Sequence, residues 1–315
     1  MKKSEKIDVR QPAALPEAEI IDPAKLRQMY QDGDIDLICV LGPTASGKTR
    51  YAVSLARQIG NAEILSADSR QVYRGMDIGT GKDLGEYEEI PYHLMDIVDA
   101  GTKYNIFEYQ RDFEAAYRDV VERGAVPILC GGSGLYVEAA TCGYSLPEVP
   151  PDPELRAALE AKPTEELIAQ LASLKHLHNT TDYDTRKRLI RALEIAIYES
   201  EHPVERTHFL PKKTYFIGTL VDREERNRRI DSRLDARIRE GMVDEIKGLL
   251  EHVPAEDLIY YGLEYKFVTL YATGQLTLEE MREQLATAIH QFAKRQMTWF
   301  RGMERKGIRI HWTNV

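Results

Sequence analysis

The chain has 315 residues, of which 43% are hydrophobic and 30% are charged, and its formal net charge is −9. This composition is typical of a globular protein with one large or two modest domains. It excludes a membrane-spanning protein, because no apolar run approaches the ~18–20 residues that a span needs, and the charged first ten residues argue against a secretion signal. We therefore expect a cytoplasmic protein.

Short apolar runs alternate along the chain with segments whose apolar residues recur at helical spacing. An N-terminal extension over residues 1–34, either mobile or with one short helix, precedes them. The runs typical of buried strands are residues 36–41 (DLICVL), 63–66 (EILS), 126–130 (VPILC) and 215–221 (YFIGTLV). Helical spacing follows at residues 49–58 and 107–123. This alternation predicts an α/β fold with a mostly parallel sheet flanked by helices. Cys39, Cys130 and Cys142 are predicted to be buried free thiols.

A second region begins at a proline-rich stretch, residues 146–153 (LPEVPPDP), which can be neither helix nor central strand. Two short helices are predicted within residues 154–174 and a third at 186–198. We therefore predict a helical insertion over residues 142–200 between two parts of one core, residues 35–141 and 201–315.

The last part of the chain is predicted to be mostly helical from residue 223 onward. Ile230, Leu234 and Ile238 mark one buried stripe of a helix. A long helix is predicted over residues 278–301, and its core-facing residues are Met281, Leu285, Ile289 and Phe292.

Positive charge is concentrated in two segments, although the protein as a whole is acidic. Residues 186–239 and residues 294–309 each carry a net charge of +5, so the remainder carries −19. An acidic protein with this distribution can present a basic face to RNA.

A phosphate-binding loop is predicted at residues 42–49 (GPTASGKT), which follow an apolar strand and precede a helix. Backbone amides of such a loop and the helix N-terminus bind an anion. Lys48 would balance phosphate charge, and the hydroxyl of Thr49 would bind Mg²⁺. The predicted phosphate-binding residues are Gly42, Thr44, Ala45, Ser46, Gly47, Lys48 and Thr49.

A nucleotide hydrolase normally has a further apolar strand that ends in an aspartate, which holds the metal ion. This chain has no aspartate at the end of the corresponding apolar run. Residues 126–130 lead into GGSG at 131–134 instead of an aspartate. Asp68 is the acidic residue best placed at the carboxyl edge of the sheet, where open α/β folds bind ligands. These features argue against a motor or a GTPase.

Residues 66–80 (SADSRQVYRGMDIGT), together with the loop at 42–49, resemble the tRNA dimethylallyltransferase family. Further similar motifs follow in the same order: PYHL at 91–94, GGSGLY at 131–136, RLIRALEI at 188–195 and AKRQMTW at 293–299. The resemblance implies a transfer of the prenyl group of dimethylallyl diphosphate to N6 of the adenosine 3′ of the anticodon in tRNA, with release of diphosphate. Short connections and the lack of heptad repeats favour a monomer.

The resemblance also implies roles for single residues. Asp68 would accept the proton of the adenine amine, which is a poor nucleophile. Ser133 and Arg223 would contact the departing diphosphate beside Lys48 and Mg²⁺. The residues expected to contact tRNA or its flipped base are Ser69, Gln71, Arg188, Arg191, Lys294, Arg295 and Gln296. Arg226, Arg229, Arg233 and Arg237 share one helix face, which is either solvated or bound to RNA phosphates.

Some positions depart from the family pattern, and they leave the acceptor open. Residues 262–265 (GLEY) replace a more usual Gly-Tyr-Lys/Arg-Glu/Gln turn, Tyr92 and His290 replace a histidine and an arginine, and the insertion is short. An adenylate dimethylallyltransferase that uses AMP, ADP or ATP is therefore the main alternative. A P-loop kinase of a small metabolite is a weaker one. The RLIRALE and AKRQ motifs favour tRNA.

Overall fold

The computed structural model describes residues 16–142, 149–174, 185–202 and 211–315. The chain divides into two compact units, Met1–Cys142 with Leu210–Val315 and Gly143–Phe209. Residues 1–15 of the predicted extension and residues 146–148 of the proline-rich stretch lie outside the described residues. Within the described ranges, no helix has the length and apolarity to span a membrane.

Strands and helices alternate through the first unit, and the second unit is helical. The strands are β1 (Leu37–Leu41), β2 (Ala62–Ser66), β3 (Tyr73–Arg74), β4 (Tyr92–His93), β5 (Val98–Asp99), β6 (Val126–Gly131), β7 (Thr214–Leu220) and β8 (Ile310–Asn314). The helices are α1 (Pro23–Gln31), α2 (Lys48–Ile59), α3 (Ile106–Glu122), α4 (Gly134–Thr141), α5 (Pro153–Glu160), α6 (Thr164–Leu174), α7 (Arg186–Glu201), α8 (Arg223–Glu240), α9 (Met242–Leu250), α10 (Ala255–Tyr260), α11 (Leu263–Ala272) and α12 (Leu278–Arg305).

A parallel sheet in the order β4-β2-β6-β1-β7-β8 forms the centre of the first unit, and β3 pairs with β5 in a smaller sheet. The predicted fold class is therefore confirmed. Every residue of β1, β2 and β6 is buried, because helices cover both faces of a parallel sheet. Cys39 and Cys130 are free and buried, as predicted, whereas the free thiol of Cys142 is exposed.

The register of the sheet positions the functional loops. Leu41 at the end of β1 pairs with Gly131 at the end of β6, and Ser66 at the end of β2 pairs with Cys130. The phosphate-binding loop, the turn that contains Asp68 and the turn that contains Ser133 therefore leave the sheet at the same carboxyl edge. This is the edge at which open α/β sheets bind ligands.

The C-terminal region differs from the prediction at two points. The predicted helices did not include β8, which pairs in parallel with β7 and completes one side of the sheet. Phe292 does not face the core and is 37% exposed. The buried face of α12 continues from Ile289 to Ala293 and Gln296, which follow it at helical spacing.

The second unit, in its described part, is a bundle of α5, α6 and α7 and confirms the three predicted helices. Leu167, Leu171, Leu189 and Leu193 form its core and are fully buried. The buried carboxylate of Glu194 pairs with Arg156 at 2.8 Å and with Arg191. Burial raises the pKa of Glu194, but hydrogen bonds from these partners and from a backbone amide outweigh it and lower the pKa below its ordinary value.

Candidate active site

The phosphate-binding loop connects β1 to α2 in the conformation that binds anions. Ala45 and Gly47 have φ angles of 59° and 81°, and Gly47 caps α2. The buried hydroxyl of Ser46 lies 2.7 Å from Oγ1 of Thr219 in β7. A Cβ atom at Gly42 would lie 2.0 Å from the same oxygen, so only glycine fits there. The contact between Ser46 and Thr219 holds the loop against β7. The backbone N–H groups in the first turn of α2 can bind an anion.

A cavity of about 550 Å³ opens beside this loop, entirely within the first unit. Its size is that of a site for a small molecule or a nucleotide base with a diphosphate. The predicted site residues that line it are Thr44, Lys48, Thr49, Asp68, Ser69, Gln71, Ser133, Arg295 and Gln296. Residues from the loop, from the turn after β2, from the turn after β6 and from α12 therefore meet around one space.

Asp68 is half-buried in the wall of this cavity, two residues after the end of β2. Its Oδ1 accepts a hydrogen bond from the backbone N–H of Arg70 at 2.9 Å, which orients the carboxylate. The hydroxyl of Ser133 accepts a bond from the N–H of Ser69 at 3.2 Å and donates to the hydroxyl of Ser69 at 3.3 Å. The turns after β2 and β6 are therefore connected by side chains at the floor of the cavity.

Gln296 connects the phosphate-binding loop to the glycine-rich turn after β6. Its Oε1 accepts from the N–H of Thr44 at 2.8 Å, and its Nε2 donates to the carbonyl of Gly132 at 2.9 Å. Both polar ends of this buried side chain are therefore engaged within the protein. The predicted contact of Gln296 with tRNA stays a prediction, and the geometry favours a role in positioning the two loops.

Five cationic side chains of the described residues line the cavity: Lys48, Arg70, Arg233, Arg237 and Arg295. Lys48 extends from the start of α2, and Arg233 and Arg237 extend from α8. Burial lowers the pKa of Lys48 below its ordinary value; the nearby charge of Asp68 opposes this shift, and the two arginines of α8 add to it. A cavity with this concentration of positive charge suits a ligand with several negative charges.

The loop of residues 77–81 forms another wall, and Glu245 of α9 holds it. The carboxylate of Glu245 accepts hydrogen bonds from the N–H groups of Asp77, Ile78 and Gly79 at 2.9, 2.7 and 3.0 Å. It also accepts from the hydroxyl of Tyr265 at 2.7 Å. The carboxylate of Glu245 therefore connects the divergent turn at residues 262–265 to residues 77–80 (DIGT).

Several predicted residues lie elsewhere. Arg223 is exposed at the first position of α8 and is not among the cavity residues of the described chain. Lys294 is exposed on α12 beside Arg295. Arg191, in the second unit, binds Glu194 and donates to the carbonyl of Val149 at 2.8 Å. Arg188 is exposed in the same helix.

For Arg233 and Arg237 a contact with RNA phosphates stays a prediction. Their side chains line the cavity, which the prediction of a solvated or RNA-binding face does not include. A signal for this was present in the sequence. Arg233 and Arg237 follow Ile230 by three and seven residues, so all three share one helix face with Leu234. Arginines on the buried face of a helix indicate a charged site beneath it.

The residues present fit a magnesium ion that a bound diphosphate would share. The described residues contain no group of three or more His, Cys, Asp or Glu that could hold a metal by themselves. Mg²⁺ commonly binds through one or two protein oxygens together with substrate phosphates and water. Thr49 lines the cavity next to Lys48 and supplies such an oxygen.

Two family descriptions match the chain. The model of the IPP transferase family matches residues 71–303, and the isopentenyl transferase model matches residues 35–90. The chain is 60% identical over 284 residues to tRNA dimethylallyltransferase 2 of Porphyromonas gingivalis, which covers 89% of this chain and 94% of that protein. It is 57% identical over 287 residues to tRNA dimethylallyltransferase 2 of Bacteroides fragilis, with 90% and 94% covered.

Solved structures show the same similarity. The tRNA isopentenylpyrophosphate transferase of Bacillus halodurans superposes with a TM-score of 0.64 at 32% identity, over 89% of each chain. A eukaryotic dimethylallyltransferase acting on tRNA superposes with a TM-score of 0.68 at 27% identity, over 84% of this chain and 69% of that one.

Proposed function

The chain belongs to the IPP transferase family, and we propose that it transfers a dimethylallyl group from dimethylallyl diphosphate to N6 of the adenosine 3′ of the anticodon in tRNA. The observation that supports this most is the single cavity in which Asp68 faces Lys48 and Thr49 of the phosphate-binding loop. A base and a diphosphate site must lie on either side of the reacting carbon in such a transfer. We propose further that the protein acts as a cytoplasmic monomer.

The acceptor amine is activated by Asp68 in this proposal. The C–N bond forms between N6 and the prenyl carbon while the C–O bond to diphosphate breaks, and the amine proton passes to the carboxylate. The hydrogen bond from the Arg70 amide keeps Asp68 oriented toward the cavity. Ser69 and Gln71, on the same turn, would contact the base once it has left the stacked anticodon loop.

The leaving diphosphate is stabilised by the phosphate-binding loop and its surrounding cations. Lys48 and the backbone N–H groups at the start of α2 bind its oxygens. The hydroxyl of Ser133 would turn from Ser69 to donate to the diphosphate. Mg²⁺, held by Thr49 and the phosphates, would neutralise part of the charge that develops on the leaving group. Arg233 supplies a cation from α8, since its guanidinium lines the cavity; a role for Arg223 at the start of that helix stays a prediction.

A direct test of the proposed function is the choice of acceptor. Purified protein, Mg²⁺ and labelled dimethylallyl diphosphate are incubated with unmodified tRNA, AMP or ATP, and the label in each acceptor is counted. We expect label in tRNA and none in a tRNA whose adenosine 3′ of the anticodon is replaced by guanosine. Label in AMP or ATP alone would assign the chain to adenylate prenylation, and label in none of them would contradict prenyl transfer.

Lys294 is expected to contribute one phosphate contact with tRNA, because it is exposed on α12 next to Arg295 at the cavity. Lys294→Gln should weaken tRNA binding and reduce the log–log salt slope by about 0.7–0.9. Filter binding at several salt concentrations measures both. Lys212→Gln is the matched control, since Lys212 is exposed just before β7, at the opposite edge of the sheet. Equal slopes for the two variants would place Lys294 outside the tRNA interface.

A further inference from the structure

Arg237 is an unusual arginine, because it is almost buried and lacks full pairing. Its side chain is 12% exposed and lines the cavity together with Arg233. Gly81 permits this position: a Cβ atom there would lie 1.5 Å from Nη2 of Arg237. Any side chain at residue 81 would therefore displace the guanidinium from the cavity wall.

The partner of Arg237 leaves much of the guanidinium unsatisfied. Nη1 lies 4.0 Å from Oε1 of Glu264, a distance at the outer limit for an ion pair. The buried Nη2 has no hydrogen-bond partner among the described residues. Burial lowers the pKa of Arg237 and raises the pKa of Glu264. A buried guanidinium with free donors is costly unless a ligand anion satisfies it.

Arg237 lies at the end of the cavity that the phosphate-binding loop forms. Arg237 and Glu264 also line a small adjoining cavity together with Thr44 and Ala45 of the phosphate-binding loop. The positive charge of Arg237 contributes to the lowered pKa of Lys48. An anion bound by Lys48 is therefore within the electrostatic reach of Arg237.

We propose that Arg237 is a further ligand of the substrate diphosphate and that Glu264 is a positioning residue that holds Arg237 beside the phosphate-binding loop. The proposal rests on the proposed function. It also gives a reason for the divergent turn, in which Glu264 occupies a position where the family more usually has Lys or Arg. In this chain a cation from α8, Arg237, lies beside that acidic residue.

The test measures the affinity of the whole protein for inorganic diphosphate with Mg²⁺ by isothermal titration calorimetry. Arg237→Met should weaken diphosphate binding about 10- to 100-fold, because charge-assisted hydrogen bonds are lost, and Arg237→Lys should restore part of it. Arg228→Met, an exposed substitution on the same helix, should leave affinity unchanged. Glu264→Gln should weaken binding in the wild-type background and have no further effect in Arg237→Met, as a positioning role requires.

Thermal unfolding and tRNA binding of the same variants separate the possible outcomes. Folded Arg237→Met with wild-type diphosphate affinity would overturn the inference, and so would a loss confined to tRNA binding. If Lys48→Met loses diphosphate binding while Arg237→Met keeps it, the inference alone fails. If the wild-type protein binds no diphosphate, the proposed function fails as well.

Discussion

Asp68→Asn is expected to lower prenyl transfer by about 10²- to 10⁴-fold, the usual contribution of a general base. Asparagine keeps the size of the side chain and can still accept the hydrogen bond from the Arg70 amide, so the turn should keep its structure. It cannot take a proton from the adenine amine. Affinity for tRNA should stay within about threefold, because phosphate contacts supply most of such affinity. Single-turnover transfer and filter binding measure the two quantities.

Asp34→Asn serves as the control for this substitution, since Asp34 is exposed in the turn after α1. It should leave both quantities unchanged. An Asp68→Asn protein with wild-type single-turnover rates would remove Asp68 as the base and would require another acceptor for the proton. A loss of tRNA binding as large as the loss of transfer would instead assign Asp68 to acceptor binding.

Lys48→Met is expected to lower transfer by about 10³-fold, since a charged donor to the leaving group is removed, and to weaken inorganic diphosphate binding. The same variant should unfold at a higher temperature than the wild type when no ligand is bound. Burial lowers the pKa of Lys48, so the charged lysine is disfavoured in the folded protein. Methionine fills a similar volume without that charge.

The pH dependence of unfolding gives a second measurement on Lys48. Because its pKa is lower in the folded state, the unfolded chain binds the proton more tightly, and wild-type stability gains from a rise in pH through the lowered pKa toward the ordinary value. The stability difference between Lys48→Met and wild type should therefore shrink in alkaline solution. Lys25→Met, on the exposed side of α1, should show no such trend. A variant less stable than wild type at neutral pH would mean that Lys48 has a compensating partner.

Local patterns predicted the part of the site that lies directly after buried strands. The phosphate-binding loop, Asp68 and Ser133 each follow an apolar run, and parallel strands bring their carboxyl ends to one edge. The period of the strands and the position of the turns are local properties, and they place these residues at that edge. The roles of Asp68 as base and of Ser133 as a diphosphate ligand come from the resemblance to the family.

The rest of the site depends on contacts between distant residues. Gln296 bonds Thr44, 252 residues away, and no local pattern distinguishes that contact from an RNA-binding role. The stripe of Ile230 and Leu234 predicts the buried face of α8, but local spacing does not show that Arg233 on this helix reaches the carbonyl of Gly81, 152 residues earlier in the chain. The strand β8 was not predicted, because its apolar alternation, Ile308, Ile310 and Trp312, is a short run after a long helix.

The order of the strands has a consequence for synthesis on the ribosome. The strand β1 can pair with β6 early, but its other neighbour, β7, follows roughly 170 residues after it, beyond the second unit. Translation adds about 5–20 residues per second, so this fully apolar strand has one edge without a partner strand for roughly 10–35 s. An unpaired strand edge of this kind favours aggregation. Slow translation of the second unit should therefore lower the yield of native protein, and chaperone binding to the nascent chain should be strongest during that interval.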